Sequence, residues 1–165
     1  MPLNKPLIAE LKHEAGNTRK MLERVPFENT TWKPHAKSRE VIQLATHVAT
    51  VLRWVKRAIE MDEFDLAAPN NLQVIEPKNS GELLDLFNKT GADAEQALEN
   101  VSDETLMKPW TFRSGQHVVF TMPKAAVIRN MAFNHYIHHR GQLSVYLRLL
   151  DVPIPGMYGP SADEK

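Results

Sequence analysis

The sequence predicts an all-α protein, a four-helix bundle with a small β-hairpin before the last helix. Four long segments repeat apolar residues at steps of three and four, which is the period of an amphipathic helix. Prolines and polar stretches separate these segments, and strand-like residues are confined to one short region. At 165 residues the chain is long enough to bury a proper core, so we expect residues 1–165 to form a single domain.

The first two predicted helices lie between clear breaking signals. The apolar repeat covers residues 3–24, and Pro26 ends it. A polar loop follows. Ser38 is the expected N-cap of the second helix, with Glu40 in the first turn, where a negative charge is favoured. The apolar repeat of this second helix continues to Met61.

The second half of the chain contains the other two helices and the hairpin. Two prolines and an Asn-Asn pair indicate a loop over residues 62–79, after which Ser80 caps a third helix that ends near Val101. Strand-like residues on both sides of a glycine-containing turn predict the hairpin within residues 102–122. A proline then marks the start of the last helix, over residues 124–150.

Composition excludes several classes of function. The chain has 20 basic and 20 acidic residues, so it lacks the basic excess of a nucleic-acid binder and gives no reason to expect a membrane surface as partner. Cysteine is absent, so any metal must be held by His, Asp or Glu. No apolar run approaches the ~20 residues of a membrane span, and the N-terminus lacks the apolar core of a signal peptide. We therefore expect a cytoplasmic protein that binds neither nucleic acid nor membrane.

Three of the seven histidines lie within five positions of the predicted last helix. His135 and His139 are four residues apart, so both imidazoles project from one face, about 5–6 Å apart at Cβ. The row expected to face the interior of the bundle is Ile128, Ala132, His135, His139, Gln142, Tyr146 and Leu149. This geometry suits two ligands of one metal ion, although hydrogen bonds can also satisfy such a pair. His138, three residues after His135, could bind the same metal ion as His135, so spacing favours His139 over His138 only slightly.

The second helix offers a third ligand. His47 lies near the middle of this helix, at the edge of its buried face. It meets the pair in the last helix if the two helices are neighbours, and spacing alone does not decide this. The remaining candidates are weaker: His13 has charged neighbours, His35 is in a loop, and His117 is in the predicted hairpin. We interpret these three as surface residues.

The residues around the histidines resemble a known family. Residues 134–143 read NHYIHHRGQL, with Thr46-His47-Val48 upstream, and both are similar to the DinB/YfiT-like metalloenzymes, the damage-inducible DinB proteins. The tail at residues 152–164 resembles many members too. The resemblance covers essentially the whole chain, and the HxxxHRGQ pattern within it is fairly specific.

The resemblance implies a particular fold and a metal site. It implies a four-helix bundle with up-down-down-up helix order, assembled as a homodimer. It also implies a divalent metal ion, zinc or nickel, held by His47, His135 and His139, and so selects His139 over His138. Characterised members include thiol-dependent transferases and isomerases, so the resemblance further implies a low-molecular-weight thiol cosubstrate and a role in stress response.

A three-histidine site indicates a reaction class, because three protein ligands and an open position are typical of catalytic zinc. With no cysteine in the chain, a thiol must arrive as a small molecule. We therefore expect a metal-dependent transferase or hydrolase, in particular an S-transferase acting on small electrophiles. The alternative is a non-catalytic dimeric metal-binding or stress-response protein. No catalytic residue is assigned, and the residues proposed to orient the ligands or contact the substrate are Asn134, His138, Gln142 and Tyr146.

Overall fold

The computed structural model describes residues 2–69 and 75–164 of the chain. Within these residues the chain is mostly helical and carries a small three-stranded β-sheet. The helices are α1 (Asn4–Leu22), α2 (Val41–Thr50), α3 (Arg53–Glu60), α4 (Ser80–Asn100), α5 (Asp103–Met107), α6 (Lys124–Val127) and α7 (His135–Leu149). The strands are β1 (Glu63–Asp65), β2 (Pro109–Ser114) and β3 (His117–Pro123). A 3₁₀ turn occupies Phe27–Asn29, and a π-helical segment, Ile128–Asn134, joins α6 to α7.

The N-caps of two helices differ from the sequence prediction by one or two residues. Glu40, not Ser38, caps α2, because the Glu40 carboxylate accepts a backbone N–H of the first turn while Gln43 accepts the backbone N–H of Glu40 at 3.1 Å. For α4 the cap is Asn79 rather than Ser80, and its side chain accepts the backbone N–H of Glu82 at 2.9 Å. The predicted second helix is divided into α2 and α3 by a turn at residues 51–52.

The packing of the helices places α2 beside α7. Helix α1 packs against α4 and α7, and α2 packs against the same two helices. Helix α3 packs against α4 and the π-helical segment. The interior is apolar, and Trp110, Phe133 and Tyr136 are its largest fully buried side chains. Burying a large apolar side chain stabilises the fold by about 1.5–3 kcal/mol, so this core keeps α2 and α7 in contact.

The sheet confirms the predicted hairpin and adds a third strand to it. Strand β2 pairs antiparallel with β3 and parallel with β1, which lies in the segment 62–79 that we predicted to be a loop. Residues 70–74 of that predicted loop lie outside the described residues. Gly115 has a φ of +59° in the turn between β2 and β3, a conformation that glycine adopts without strain. The sheet packs on α3 through Phe64, whose ring lies 4.9 Å from that of Trp54.

The last helix changes its hydrogen bonding at the π-helical segment, and this changes which face is buried. A π turn contains one residue more than an α turn, so the residues after it are rotated about the helix axis. The buried residues of α7 are Tyr136, Arg140, Leu143 and Leu147. The predicted interior row is therefore wrong at two positions beyond Ala132: Gln142 is exposed and Leu149 is 57% exposed, whereas Tyr146 is half-buried against the core. The histidines lie at the edge of the core and are half-buried.

The chain after α7 contacts α1 and α7 through polar side chains. Arg148 donates to both carboxylate oxygens of Asp163, at 3.0 and 2.6 Å. The Tyr158 hydroxyl lies 2.9 and 2.8 Å from the carboxylate oxygens of Glu14, to which it donates. Arg140, only 2% exposed, donates to Tyr158 at 2.6 Å and pairs with Glu14 at 2.7 Å. These contacts connect the C-terminal segment to α1 and to the buried side of α7.

Among the helices of the described residues, none combines the length and the apolar character that crossing a membrane requires.

Candidate metal centre

Three histidines predicted as ligands come together where α2 packs against α7. His47 belongs to α2, and His135 and His139 belong to α7. The ring centroids are 4.9 Å apart for His47 and His135, 4.4 Å for His47 and His139, and 4.6 Å for His135 and His139. One nitrogen from each ring lies within 4.8 Å of the other two. No other His, Asp or Glu in residues 2–69 and 75–164 joins this group.

The spacing of these nitrogens fits a single divalent ion. Nε2 of His47 lies 3.2 Å from Nε2 of His135. Zinc–nitrogen bonds of about 2.0–2.1 Å in a tetrahedral arrangement place two imidazole nitrogens roughly 3.3 Å apart. The pair therefore has the separation of two ligands on one ion. The third ring, that of His139, is close enough to complete a three-ligand site.

Two of the rings are oriented by hydrogen bonds on the side away from the cluster. Nδ1 of His135 lies 3.3 Å from the carbonyl oxygen of Met131, and Nδ1 of His139 lies 2.7 Å from Oε1 of Gln142. Both oxygens accept, so in each ring Nδ1 carries the proton and donates it. Nε2 of each ring then presents a lone pair to the cluster. A hydrogen-bond partner on the far nitrogen is the usual companion of a metal-binding histidine.

The π-helical segment contributes one of these partners. In a regular α-helix the backbone N–H of His135 bonds to the carbonyl of Met131, four residues earlier. Here that N–H bonds to the carbonyl of Ala132 instead. The Met131 carbonyl can therefore accept from the imidazole of His135. Single π turns inside helices are frequent at functional sites, and this one lies directly before the first ligand of α7.

Electrostatics keeps all three imidazoles neutral near pH 7. Burial, followed by the positive charge of Arg39 and the neighbouring histidines, lowers the pKa of His47 to about 3. Burial is also the main reason that the pKa values of His135 and His139 are lowered, and Arg39 again adds to the effect. A histidine must be neutral to bind a metal ion. The three histidines therefore need not release protons before they bind a metal ion at neutral pH.

A cavity of about 480 Å³ lies against the histidine cluster. His47 and His135 form part of its wall, together with residues from α2, α3 and the segment before α4. The wall includes the apolar side chains of Ile42, Val51 and Trp54. It also includes three arginines and one glutamate. Cavities of about 300–1,000 Å³ with apolar walls and a few polar groups are typical of small-molecule sites.

The other residues selected from the sequence lie at varying distances from the cluster. The ring of His138 is 4.9 Å from that of His139, but His138 is exposed and does not belong to the three-residue group. Asn134 is exposed as well. Tyr146 packs edge-on against Trp32 at 5.7 Å. Three other histidines are exposed and lie outside the cluster: His13, His35 and His117.

Sequence reasoning missed the arginines of the cavity. Arg39, Arg53 and Arg57 line it, and Gln43 and Thr50 lie between them on the same wall. These positions follow helical steps of three and four with one longer gap, so a polar stripe along the second predicted helix is visible in the sequence. From the sequence alone, this stripe cannot be distinguished from a helix face that is exposed to solvent, because the cavity is visible only in the structure.

Comparison with known proteins identifies a family match over the whole chain. The model of the DinB family matches residues 1–165. The structure is similar to that of a DinB-like protein of Bacillus subtilis, YjoA, with 19% identity, a TM-score of 0.72, and coverage of 95% of this chain and 100% of that chain. It is also similar to a DinB-like protein of Bacillus cereus ATCC 10987, with 20% identity, a TM-score of 0.67, and coverage of 89% and 92%. At these identities the similarity shows the fold alone.

One curated protein shows local sequence similarity. The uncharacterized protein YrdA of Bacillus subtilis (strain 168) is 30% identical over 77 residues, which cover 44% of this chain and 46% of YrdA. The matched region thus spans about half the length of that relative.

Proposed function

The chain belongs to the DinB family, and we propose that it is a metal-dependent enzyme whose divalent ion is held by Nε2 of His47, His135 and His139. The observation that carries this proposal is the convergence of three neutral imidazoles, within 4.8 Å of one another, beside a cavity of about 480 Å³. Structural zinc sites are closed by four protein ligands, whereas a three-ligand site keeps a position for water or substrate.

The reaction that we propose is the transfer of a low-molecular-weight thiol to a small electrophile. A divalent ion in such a site supplies Lewis acidity, which lowers the pKa of a water or thiol bound at the open position. The chain has no cysteine, so the thiol must be a separate molecule that enters the cavity. In the reaction a sulfur–carbon bond forms, the leaving group departs with its electron pair, and the thiol proton passes to water.

The residues of the chain have separate parts in this proposal. Met131 and Gln142 orient the rings of His135 and His139 by accepting from their Nδ1–H groups. Trp54 supplies an apolar wall that removes part of the cavity from water. Zinc and nickel both accept imidazole ligands, so the chemistry of the donor set is compatible with either ion.

Helix order and assembly belong to the same proposal. Helices α1 and α2 each pack against α4 and α7, an arrangement that supports the up-down-down-up order rather than a bundle of sequential neighbours. Homodimerisation stays a prediction from the family resemblance, and so does the involvement of the protein in stress response.

The first experiment is a measurement of bound metal by inductively coupled plasma mass spectrometry on untagged protein. It compares the wild type with His47→Ala, His135→Ala and His139→Ala, and uses the exposed His138→Ala as a matched control. We expect a stoichiometric ion in the wild type and the control and none in the other three variants. Absence of metal in the wild type, even after incubation with zinc and nickel, would overturn the proposal.

The proposal that the metal ion has an open position for a thiol needs a second measurement, on protein loaded with cobalt. Binding of a small thiol at an open position produces a sulfur-to-cobalt charge-transfer band in the absorption spectrum. If the metal is bound but no added thiol changes the spectrum, the site is closed. The non-catalytic metal-binding function, in which the ion joins α2 to α7, would then be the better description.

A further inference from the structure

The cavity beside the histidines carries an excess of positive charge that the chain as a whole does not have. The chain is neutral overall, with 20 basic and 20 acidic residues. Among the described residues that line the cavity, however, Arg39, Arg53 and Arg57 oppose a single carboxylate, that of Glu76. Cavity walls of one predominant charge concentrate ligands of the opposite charge.

Two of these arginines lie on either side of His47 along the chain. Arg39 precedes the N-cap of α2, and Arg53 is the first residue of α3. The backbone remains helical through Val51 and Leu52, so Arg53 lies roughly 9 Å beyond His47 along the helix. Arg39 and Arg53 line the same cavity as His47 and His135. An anionic group held by either arginine therefore leaves the histidine cluster within reach of the rest of a small molecule in the same cavity.

Neither Arg39 nor Arg53 has a protein counterion within residues 2–69 and 75–164: no hydrogen bond or ion pair to either is present there. Other arginines of the chain pair with acidic residues, as Arg129 does with Glu10 at 2.6 Å and Arg148 with Asp163 at 2.6 Å. A guanidinium presents several donors in a planar fork that fits a carboxylate or a phosphate. The partly buried Arg53 in particular loses some hydration without gaining a partner in the described part of the chain.

The rest of the wall suits an organic molecule rather than a bare anion. Ile42, Val51 and Trp54 supply apolar surface. The hydroxyl of Thr46 is buried and has no hydrogen-bond partner among the described residues. Thr46 also belongs to the cavity wall.

We propose that the cavity binds a small organic molecule through an anionic group, a carboxylate or a phosphate, held by Arg39 or by Arg53, with the other end of the molecule at the histidine cluster. The assignment of that other end as the reacting end rests on the proposed function. The anion site itself rests on the unpaired arginines and the cavity. The substrate or cosubstrate of this protein is therefore an anionic molecule with an apolar portion.

The test uses calorimetric titration of the full chain, stripped of metal, at low ionic strength. The probes are succinate, the neutral isostere succinamide and inorganic phosphate. We expect at least one anion to bind about tenfold or more tightly than succinamide, which corresponds to about 1.4 kcal/mol. Preference for succinate identifies a carboxylate site, and preference for phosphate identifies a phosphate site. Equal binding of succinamide, or binding of no probe, would overturn the inference.

Variants assign the site to particular side chains. We expect either Arg39→Gln or Arg53→Gln to weaken anion binding about tenfold, and the variant that does so identifies the arginine that holds the anion. The matched control is Arg24→Gln, which removes an exposed arginine outside the cavity and should leave the affinity unchanged. Arg39 is exposed and its replacement does not threaten folding, so unchanged binding in Arg39→Gln and Arg53→Gln would contradict the assignment.

The same titration, compared with the metal analysis, separates the two proposals. Anion binding by protein that never binds metal would support the anion site and overturn the proposed enzyme. Metal binding without anion binding would overturn only this inference. In metal-loaded protein a carboxylate-bearing thiol, 3-mercaptopropionate, should bind more tightly than uncharged 2-mercaptoethanol. Replacement by Gln of the arginine that holds the anion should remove the difference.

Discussion

Nε2 of His47 lies 3.2 Å from Nε2 of His135, across the contact between α2 and α7. The two residues are 88 positions apart in the chain, so only the packing of the two helices brings them together. Without a metal ion, two neutral imidazoles at this separation can form one N–H···N hydrogen bond, in which one ring donates and the other accepts. A divalent ion instead accepts a lone pair from each ring. The close approach of these nitrogens thus supports a bridge between α2 and α7 through a metal ion.

Such a bridge predicts that metal binding stabilises the native protein. An ion at about 100 times its Kd adds about 2.7 kcal/mol to the free energy of unfolding, which raises Tm by roughly 5–10 °C for a chain of this size. Removal of the ion with a chelator should reverse the increase. Differential scanning calorimetry with and without zinc measures it. His139→Ala should show no increase, whereas His138→Ala should behave like the wild type.

Gln142 should affect metal affinity without contacting the ion. Its Oε1 accepts from Nδ1 of His139 at 2.7 Å and so orients the ring. Loss of such a partner typically weakens metal affinity 10–100-fold, and we expect this range for Gln142→Ala. Gln142→Glu retains an acceptor oxygen and should restore the affinity. Competition with a chromogenic chelator measures both variants, and Asn134→Ala, exposed on the same helix, is the control.

If Gln142→Ala binds metal as tightly as the wild type, the hydrogen bond to His139 is incidental. The exposed position of Gln142 makes a general loss of stability an inadequate explanation for a change in affinity. An unchanged unfolding transition in urea would show that the fold is intact in each variant.

Arg140 should matter for stability rather than for the site, although it directly follows His139. It is 2% exposed and pairs with Glu14 at 2.7 Å. Replacing Arg140 by Met leaves the Glu14 carboxylate buried without its cation, and loss of one partner of a buried pair costs about 3–5 kcal/mol. Urea unfolding should show this decrease.

The double variant Glu14→Leu with Arg140→Met provides the control for that measurement. It removes both charges, so it should recover most of the lost free energy of unfolding. If the single and double variants unfold at the same urea concentration, the ion pair does not account for the stability at this position.

The attachment of the C-terminal segment should weaken in acid. The hydrogen bond from Arg148 and the backbone N–H of Ile154 hold the pKa of Asp163 below its ordinary value of 3.8. Because the pKa is lower in the folded chain than in the unfolded chain, the stabilisation is complete above about pH 4 and is lost as the pH falls through the folded value. The quantity to measure is Tm as a function of pH in the acidic range.

Asp163→Asn should remove this part of the acid dependence. The exposed pair Lys89 and Asp93 offers a control, since Asp93→Asn changes a carboxylate that pairs with a lysine of the same helix. Tm curves of the wild type and Asp163→Asn that stay parallel down to strongly acidic pH would mean that the contact to Arg148 contributes nothing measurable.

Part of the fold and of the site could be predicted because the evidence is local. Apolar repeats identified the long helices, and prolines near residues 26, 123 and 153 identified their ends. Strand-like residues around Gly115 identified the hairpin. The spacing of His135 and His139 placed both rings on one face of a helix, because neighbouring turns of a helix repeat every three or four residues.

Other features could not be predicted because they depend on contacts with other parts of the folded chain or on irregular backbone geometry. The short strand β1 forms only because β2 offers a neighbouring strand. The π-helical segment shifts the buried face of α7 by one residue, and apolar periodicity contains no sign of such a change. The N-caps at Glu40 and Asn79 lie beside Ser38 and Ser80, and serine is a preferred N-cap residue, so capping preference alone pointed to the serines.

The sequence by itself determined which residue types were available: three histidines at helical spacing and mid-helix, no cysteine, and a stripe of arginines on the second predicted helix. The tertiary structure decided which of them meet. His47 joins His135 and His139 because burial of apolar side chains packs α2 against α7. The arginines line a cavity because α2, α3 and the segment before α4 surround the same space. Contacts between distant parts of a chain follow from how its helices pack, and no local pattern contains that information.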